Sequence, residues 1–121
     1  MRKRLLSLLL LSICGSMLFA QEPLDIDDVE QVPLGDFTYQ WRNIYDRTPL
    51  HGKCRIILSY RSYTIAHFNK DGILDGLYEK YEDNHLVQKL TYVKGILRGK
   101  GYEYYTDGTV KKECVWNEQG K

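Results

Sequence analysis

Three prolines, three cysteines and three histidines are spread over 121 residues, and neither sign of charge is in surplus, with 17 Lys and Arg against 16 Asp and Glu. Each shortage excludes something. Balanced charge does not make a polybasic nucleic-acid binder. His51, His67 and His85 sit at unrelated places in the chain, without the close spacing to one another or to cysteine that a zinc site uses. The glycines of Gly95-Ile96-Leu97-Arg98-Gly99-Lys100 have three residues between them where a phosphate loop has four, and no Ser or Thr follows the lysine. No G-x-S-x-G elbow is present to hold a nucleophilic serine. The expectation is therefore a protein that is not an enzyme and uses no metal or cofactor. What is abundant is tyrosine and glycine, ten of each. With 43% hydrophobic residues, this composition suits a folded, β-rich module.

The N-terminus has the layout of an export signal. Arg2, Lys3 and Arg4 precede an uncharged run of 16 residues, Leu5 to Ala20, and the run ends on Gln21 and Glu22. A bilayer-spanning helix needs about 20 apolar residues, and basic anchors often flank it. Residues 1–20 thus read as a signal peptide cleaved after Ala20. A second reading stands beside it: Leu11-Ser12-Ile13-Cys14 is similar to a bacterial lipobox, which implies lipidation of Cys14 and a membrane-anchored chain. Both place the protein outside the cytosol, in the periplasm or beyond. Three of the 17 basic residues and none of the 16 acidic ones lie in residues 1–20, leaving 14 against 16 afterwards. Residues 21–36 contain Glu22, Asp25, Asp27, Asp28, Glu30 and Asp36 with no basic residue. Without the turn glycine and the bidentate Glu of a calcium loop, this stretch reads as a solvated, flexible leader.

The remainder is organised by a repeat. An x-x-Leu-x-Gly core recurs at Leu50 and Gly52, at Leu74 and Gly76, and at Leu97 and Gly99, with Gly72 and Gly95 opening the second and third copies. Tyr78-Glu79-Lys80-Tyr81 returns 24 residues later as Tyr102-Glu103-Tyr104-Tyr105. Each unit closes on an aromatic, Phe68, Tyr92 and Trp116, spaced by 24, and Gly120 follows the last of them. In the second half of each unit, Ser62, Ala66 and Phe68, then Leu86, Leu90 and Tyr92, then Val110, Cys114 and Trp116 fall on one face of an extended strand. Lys89, Lys111 and Glu113 fall on the other. Asp83-Asn84 and Asp107-Gly108 are turn pairs suited to tight hairpins. Units of about 48–71, 72–94 and 95–120 thus give an all-β fold: six successive antiparallel strands in a hairpin array within a domain spanning 37–121. Upstream, Pro33-Leu34-Gly35 with Phe37, Tyr39 and Trp41 reads as a decayed copy that caps it. In an open sheet Cys54 and Cys114 lie five strand steps apart, about 24 Å, beyond the roughly 7 Å that a disulfide tolerates between Cα atoms.

The pattern from residue 48 to 120 resembles the MORN repeat, and more closely the variant of the YwqK-type toxin-antitoxin antitoxin family, in which a G-x-L-x-G core precedes an aromatic strand, a turn and a second aromatic-ended strand. The resemblance implies an elongated sheet and a protein-binding, antitoxin- or immunity-like role; the repeat's name also implies contact with a membrane surface. Lys89, Arg98, Lys100, Lys111 and Lys112 are the candidate partner-binding residues. A structural spacer in the envelope is the other reading.

Overall fold

The computed structural model describes residues 22–118 and 120–121, so the expected signal peptide and Cys14 lie outside the described residues. Strands dominate, and the one helical element among the described residues is a single 3-10 turn. In chain order the strands are β1 (Leu24–Asp25), β2 (Val29–Gly35), β3 (Thr38–Asn43), β4 (Gly52–Ser59), β5 (Ser62–Phe68), β6 (Leu74–Glu82), β7 (His85–Val93), β8 (Ile96–Leu97), β9 (Gly99–Tyr104) and β10 (Val110–Trp116). The main sheet runs β1-β4-β5-β6-β7-β9-β10, with β8 pairing the end of β7. From β4 to β10 all neighbours are antiparallel, which is the hairpin array expected from the repeat.

The turns follow from local chemistry. Asp83 and Asn84 take φ of 51° and 65°, the paired left-handed residues of a two-residue hairpin. Asp107 accepts from the Thr109 amide and hydroxyl, holding its carboxyl below the usual aspartate range, while Gly108 supplies the left-handed residue. The first hairpin turns on Tyr60-Arg61 with neither residue left-handed, and β4 carries an irregularity between Ile57 and Ser59.

Register divides the sheet into two faces. The inner row runs Cys54, Ala66, Tyr78, Leu90, and reaches β10 through Gly101 and Cys114. The outer row runs Arg55, Ile65, Glu79, Lys89, Tyr102, Glu113. Two details depart from the simple 24-residue alternation. Irregularities sit between Leu86 and Gln88 in β7 and between Val110 and Lys112 in β10, at equivalent places in the repeat. They pair Leu86 with Tyr81 and Val110 with Tyr104, so neither shares the face of Leu90 and Cys114 as expected. Likewise Tyr78 lies on the inner face but Tyr102 on the outer one, although they are 24 apart. The third unit has one more residue between its core leucine and its tyrosine than the second, and a one-residue shift turns a strand over.

Gly101 takes the inward place that this shift vacates. A Cβ there would stand 2.5 Å from the Trp116 ring and 2.8 Å from Leu90. Trp116 therefore lies on backbone, and Gly101→Ala is expected to cost about 1–3 kcal/mol by overpacking, read as a lower urea midpoint with an unchanged m-value.

The core sits under the first unit. Leu50, Cys54, Ile56, Ala66, Phe68 and Leu74 are buried together, and Leu24, Ile26, Val29 and Trp41 pack against them. This corrects the reading of residues 21–36 as a flexible leader. β1 adds parallel to β4, the 3-10 turn Ile26–Asp28 is capped by the Asp25 carboxylate on the Asp27 amide, and β2 pairs with β3. Leu24, Ile26 and Val29 cover the inner face, Asp25 and Asp27 are exposed, and the half-buried Glu30 is held by Arg42 at 2.6 Å. The proposed boundary at residue 36 falls inside the β2–β3 turn. That hairpin forms a separate two-stranded sheet against the array, joined to it by Trp41 N–H donating to the Gly72 carbonyl at 2.7 Å and by the Gln40 amide on the Asp71 carbonyl at 3.0 Å.

Candidate partner-binding groove

Where the β2–β3 hairpin meets the third connector, its tip and the inner face enclose an open groove of about 550 Å³. Trp41, Leu74 and Tyr92 line it from the β3 and inner-face side, Ile96 and Leu97 from the connector, and Phe37 and Tyr39 from the hairpin. Gln31, Asp36 and Lys121 add polar groups. The sequence dictates each wall. Gly35 and the Asp36-Phe37 pair reverse the chain with φ of 95°, 54° and 64°, and Gly95 turns at φ 87° with Thr38 packed beside it. Tyr92 meets Tyr78 edge-on, ring centroids 5.9 Å apart, and burial, followed by the Tyr78 charge, raises its phenol above the ordinary tyrosine value. Its hydroxyl therefore stays neutral across physiological pH. The surface is apolar and aromatic, which suits non-covalent capture.

Phe37 is the unusual residue. It is 96% exposed, and a bulky side chain in the left-handed region costs stability that no packing returns. Glycine or asparagine would be the ordinary choice for that position.

The five basic residues singled out in the sequence do not converge. Lys89 and Lys100 belong to the outer face, Lys89 opposite Glu79 and Lys100 in an ion pair with Glu113 at 3.4 Å. Lys112 pairs with Glu103, on the inner face. Lys111 sits at the β10 irregularity with its ammonium 5.9 Å from the Tyr105 ring centre. Arg98, between β8 and β9, has a buried Nε without a hydrogen-bond partner, while its amide donates to the Thr91 carbonyl. The charges are thus divided between faces, and strand alternation explains why.

Of the repeat residues, Leu50, Phe68 and Leu74 form the core, and Leu74, Tyr92, Gly95, Leu97 and Gly120 line the groove. Tyr81 stacks on Tyr63 at 5.0 Å on the outer face, and Tyr105 is exposed at the last hairpin turn. Among the described residues no group of three or more His, Cys, Asp or Glu gathers to hold a metal ion, and no helix is long and apolar enough to cross a membrane. Cys54 is buried and Cys114 half-buried, and no disulfide joins the two.

No protein-family model matches the chain, and no curated protein matches it. Among solved structures it is similar to TarM, at 15% identity and a TM-score of 0.40, over 77% of this chain and 18% of TarM. It is also similar to a point mutant of S. aureus TarM in complex with fondaparinux, α-GlcNAc-glycerol and UDP, at 15% identity and a TM-score of 0.37, over 71% of this chain and 16% of the other. The chain thus spans less than a fifth of those proteins, and likeness of this degree carries no argument about what it does.

Proposed function

We propose that this chain is an exported, non-enzymatic protein-binding module of the MORN-like, YwqK-type kind, with an immunity-like role, and that it takes an apolar segment of a protein partner in the groove beside Phe37. The observation that carries this reading is the exposed, left-handed Phe37 at the rim of an aromatic groove. A residue that costs the fold stability and buries nothing in it is explained by a contact outside it. Aromatic anchors in a desolvated pocket with a polar rim are also the usual makeup of an interface hot spot. The dispersed lysines give this reading no support, so the groove takes their place as the expected contact.

The test is a paired measurement on Phe37→Gly. Glycine relieves the left-handed strain, so the variant should be more stable by about 1 kcal/mol in urea denaturation. The same variant should lose capture of the partner recovered by the wild-type chain from envelope extract, whereas Lys89→Glu and Lys112→Glu should retain it. Retained capture by Phe37→Gly would remove the groove from the interface.

A further inference from the structure

On the outer face, at the opposite end of the sheet from the groove, a second concavity of about 360 Å³ lies beside the first hairpin turn. It is lined by Arg55, Ile57, Ser59, Tyr60, Arg61 and Tyr63, with Asp83 and Asn84 of the next turn at its edge. Arg55 is one of its two arginines. Its guanidinium lies 4.3 Å from the centre of the Tyr63 ring, and Tyr63 is stacked on Tyr81 at 5.0 Å with an interplanar angle of 11°. The Nε of Arg55 is buried and has no hydrogen-bond partner, and no carboxylate among the described residues lies within ion-pair distance of it.

A buried guanidinium donor without an acceptor is costly, because the N–H gives up water and gains nothing in exchange. The second arginine of the pocket is already engaged: Arg61 donates to Asp83 at 3.1 Å and lies over Tyr60 at 5.5 Å. Two arginines against one aspartate leave the lining one positive charge in excess, which a single negative charge balances. The two parallel N–H donors along one edge of a guanidinium match the two oxygens of a carboxylate. Tyr63 is held between Arg55 and Tyr81, so the exposed ring of Tyr60, on the side away from Arg61, and Ile57 offer the apolar side for the body that carries it.

We infer that this pocket binds a carboxylate borne on a flat, apolar body, with Arg55 receiving the two oxygens and Tyr60 and Ile57 receiving the ring. The site is independent of the Phe37 groove, on the other face and at the other end of the sheet. Nothing in the family resemblance or the sequence patterns marked it; Arg55 reads there as an ordinary strand residue in Lys53-Cys54-Arg55-Ile56.

The test follows the arginine Nε–Hε resonances of the full chain by NMR during titration with benzoate, with benzamide as a neutral isostere. Arg98 is the internal control, since it also has a buried unpartnered Nε but is not among the residues lining this concavity. The expected result is a saturable shift of the Arg55 signal with benzoate, no shift with benzamide, and a stationary Arg98. A second arm uses Asp83→Asn, which frees Arg61 and removes the one negative charge; benzoate should then bind about threefold or more tightly. A third arm compares acetate with benzoate. A shift of equal affinity would show that the carboxylate alone is recognised and would overturn the flat-body part of the assignment. No saturable Arg55 shift with benzoate, or equal movement of Arg55 and Arg98, would overturn the site. None of these readouts depends on a protein partner, so they fail or succeed separately from the proposed function.

Discussion

Replacing Gly72 by alanine is expected to lower the unfolding free energy by about 3 kcal/mol, whereas the same change at Gly52 should cost only about 1 kcal/mol. Both glycines are left-handed, at φ 77° and 79°, so both variants meet the backbone penalty for an L side chain. They differ in what a new methyl group would touch. At Gly52 nothing lies within 4 Å, but at Gly72 the Cβ would stand 2.5 Å from the Trp41 carbonyl oxygen and 3.0 Å from Pro49. A backbone oxygen cannot swing aside as a side-chain tip does. Relieving the contact means moving β3 off the connector, and this breaks the Trp41-to-Gly72 hydrogen bond that joins the small hairpin to the sheet. Urea denaturation of the two variants checks the difference. Equal losses would mean that the hairpin is not seated on Gly72.

Phe68→Ala is expected to be the most destabilising of the three repeat-aromatic truncations, at about 3–5 kcal/mol, with Trp116→Ala costing roughly half of that or less. The sequence places Phe68, Tyr92 and Trp116 at one position of the repeat, yet they are not equivalent in the fold. Phe68 is 4% exposed, packed on Trp41 with ring centroids 5.5 Å apart, beneath the cover supplied by residues 24–43. Tyr92 and Trp116 remain half-buried: Tyr92 packs at the margin of this core beside the open groove, and Trp116 is not part of it. In an array where each unit stacks on its neighbours, stability should therefore fall off toward β10. Hydrogen exchange should show the same gradient, with amides of β4 and β5 exchanging last and those of β10 first.

Much of this architecture was legible in the spacing of Leu, Gly and aromatic residues, because a hairpin unit states its length twice, once in its turn and once in its closing ring. The six-strand array, the Asp83-Asn84 reversal and the inner placement of Ala66, Leu90 and Cys114 all follow from that spacing. What the repeat concealed were departures of one residue. The extra residue before Tyr102 and the irregularities beginning at Leu86 and Val110 each exchange faces, and a fixed 24-residue offset hides them. The N-terminal segment departs from its sequence pattern for a different reason. Six acidic residues between 21 and 36 suggest solvation, but Leu24, Ile26 and Val29 lie between them at spacings that place all three on the core, and apolar burial outweighed the charge. The basic residues looked like a patch because they are close in sequence. Strand neighbours point to opposite sides, so nearness along the chain says little about nearness on the surface.

The most direct measurement of the proposed binding is site-specific photo-crosslinking in intact cells of the source organism. A photoreactive phenylalanine analogue would replace Phe37 in one chain and Val115, 66% exposed on the far edge strand, in another. One protein adduct of defined mass is expected from position 37 and none from position 115. Adducts of the same pattern from both positions, or none from position 37 while the chain is folded, would contradict the proposed binding.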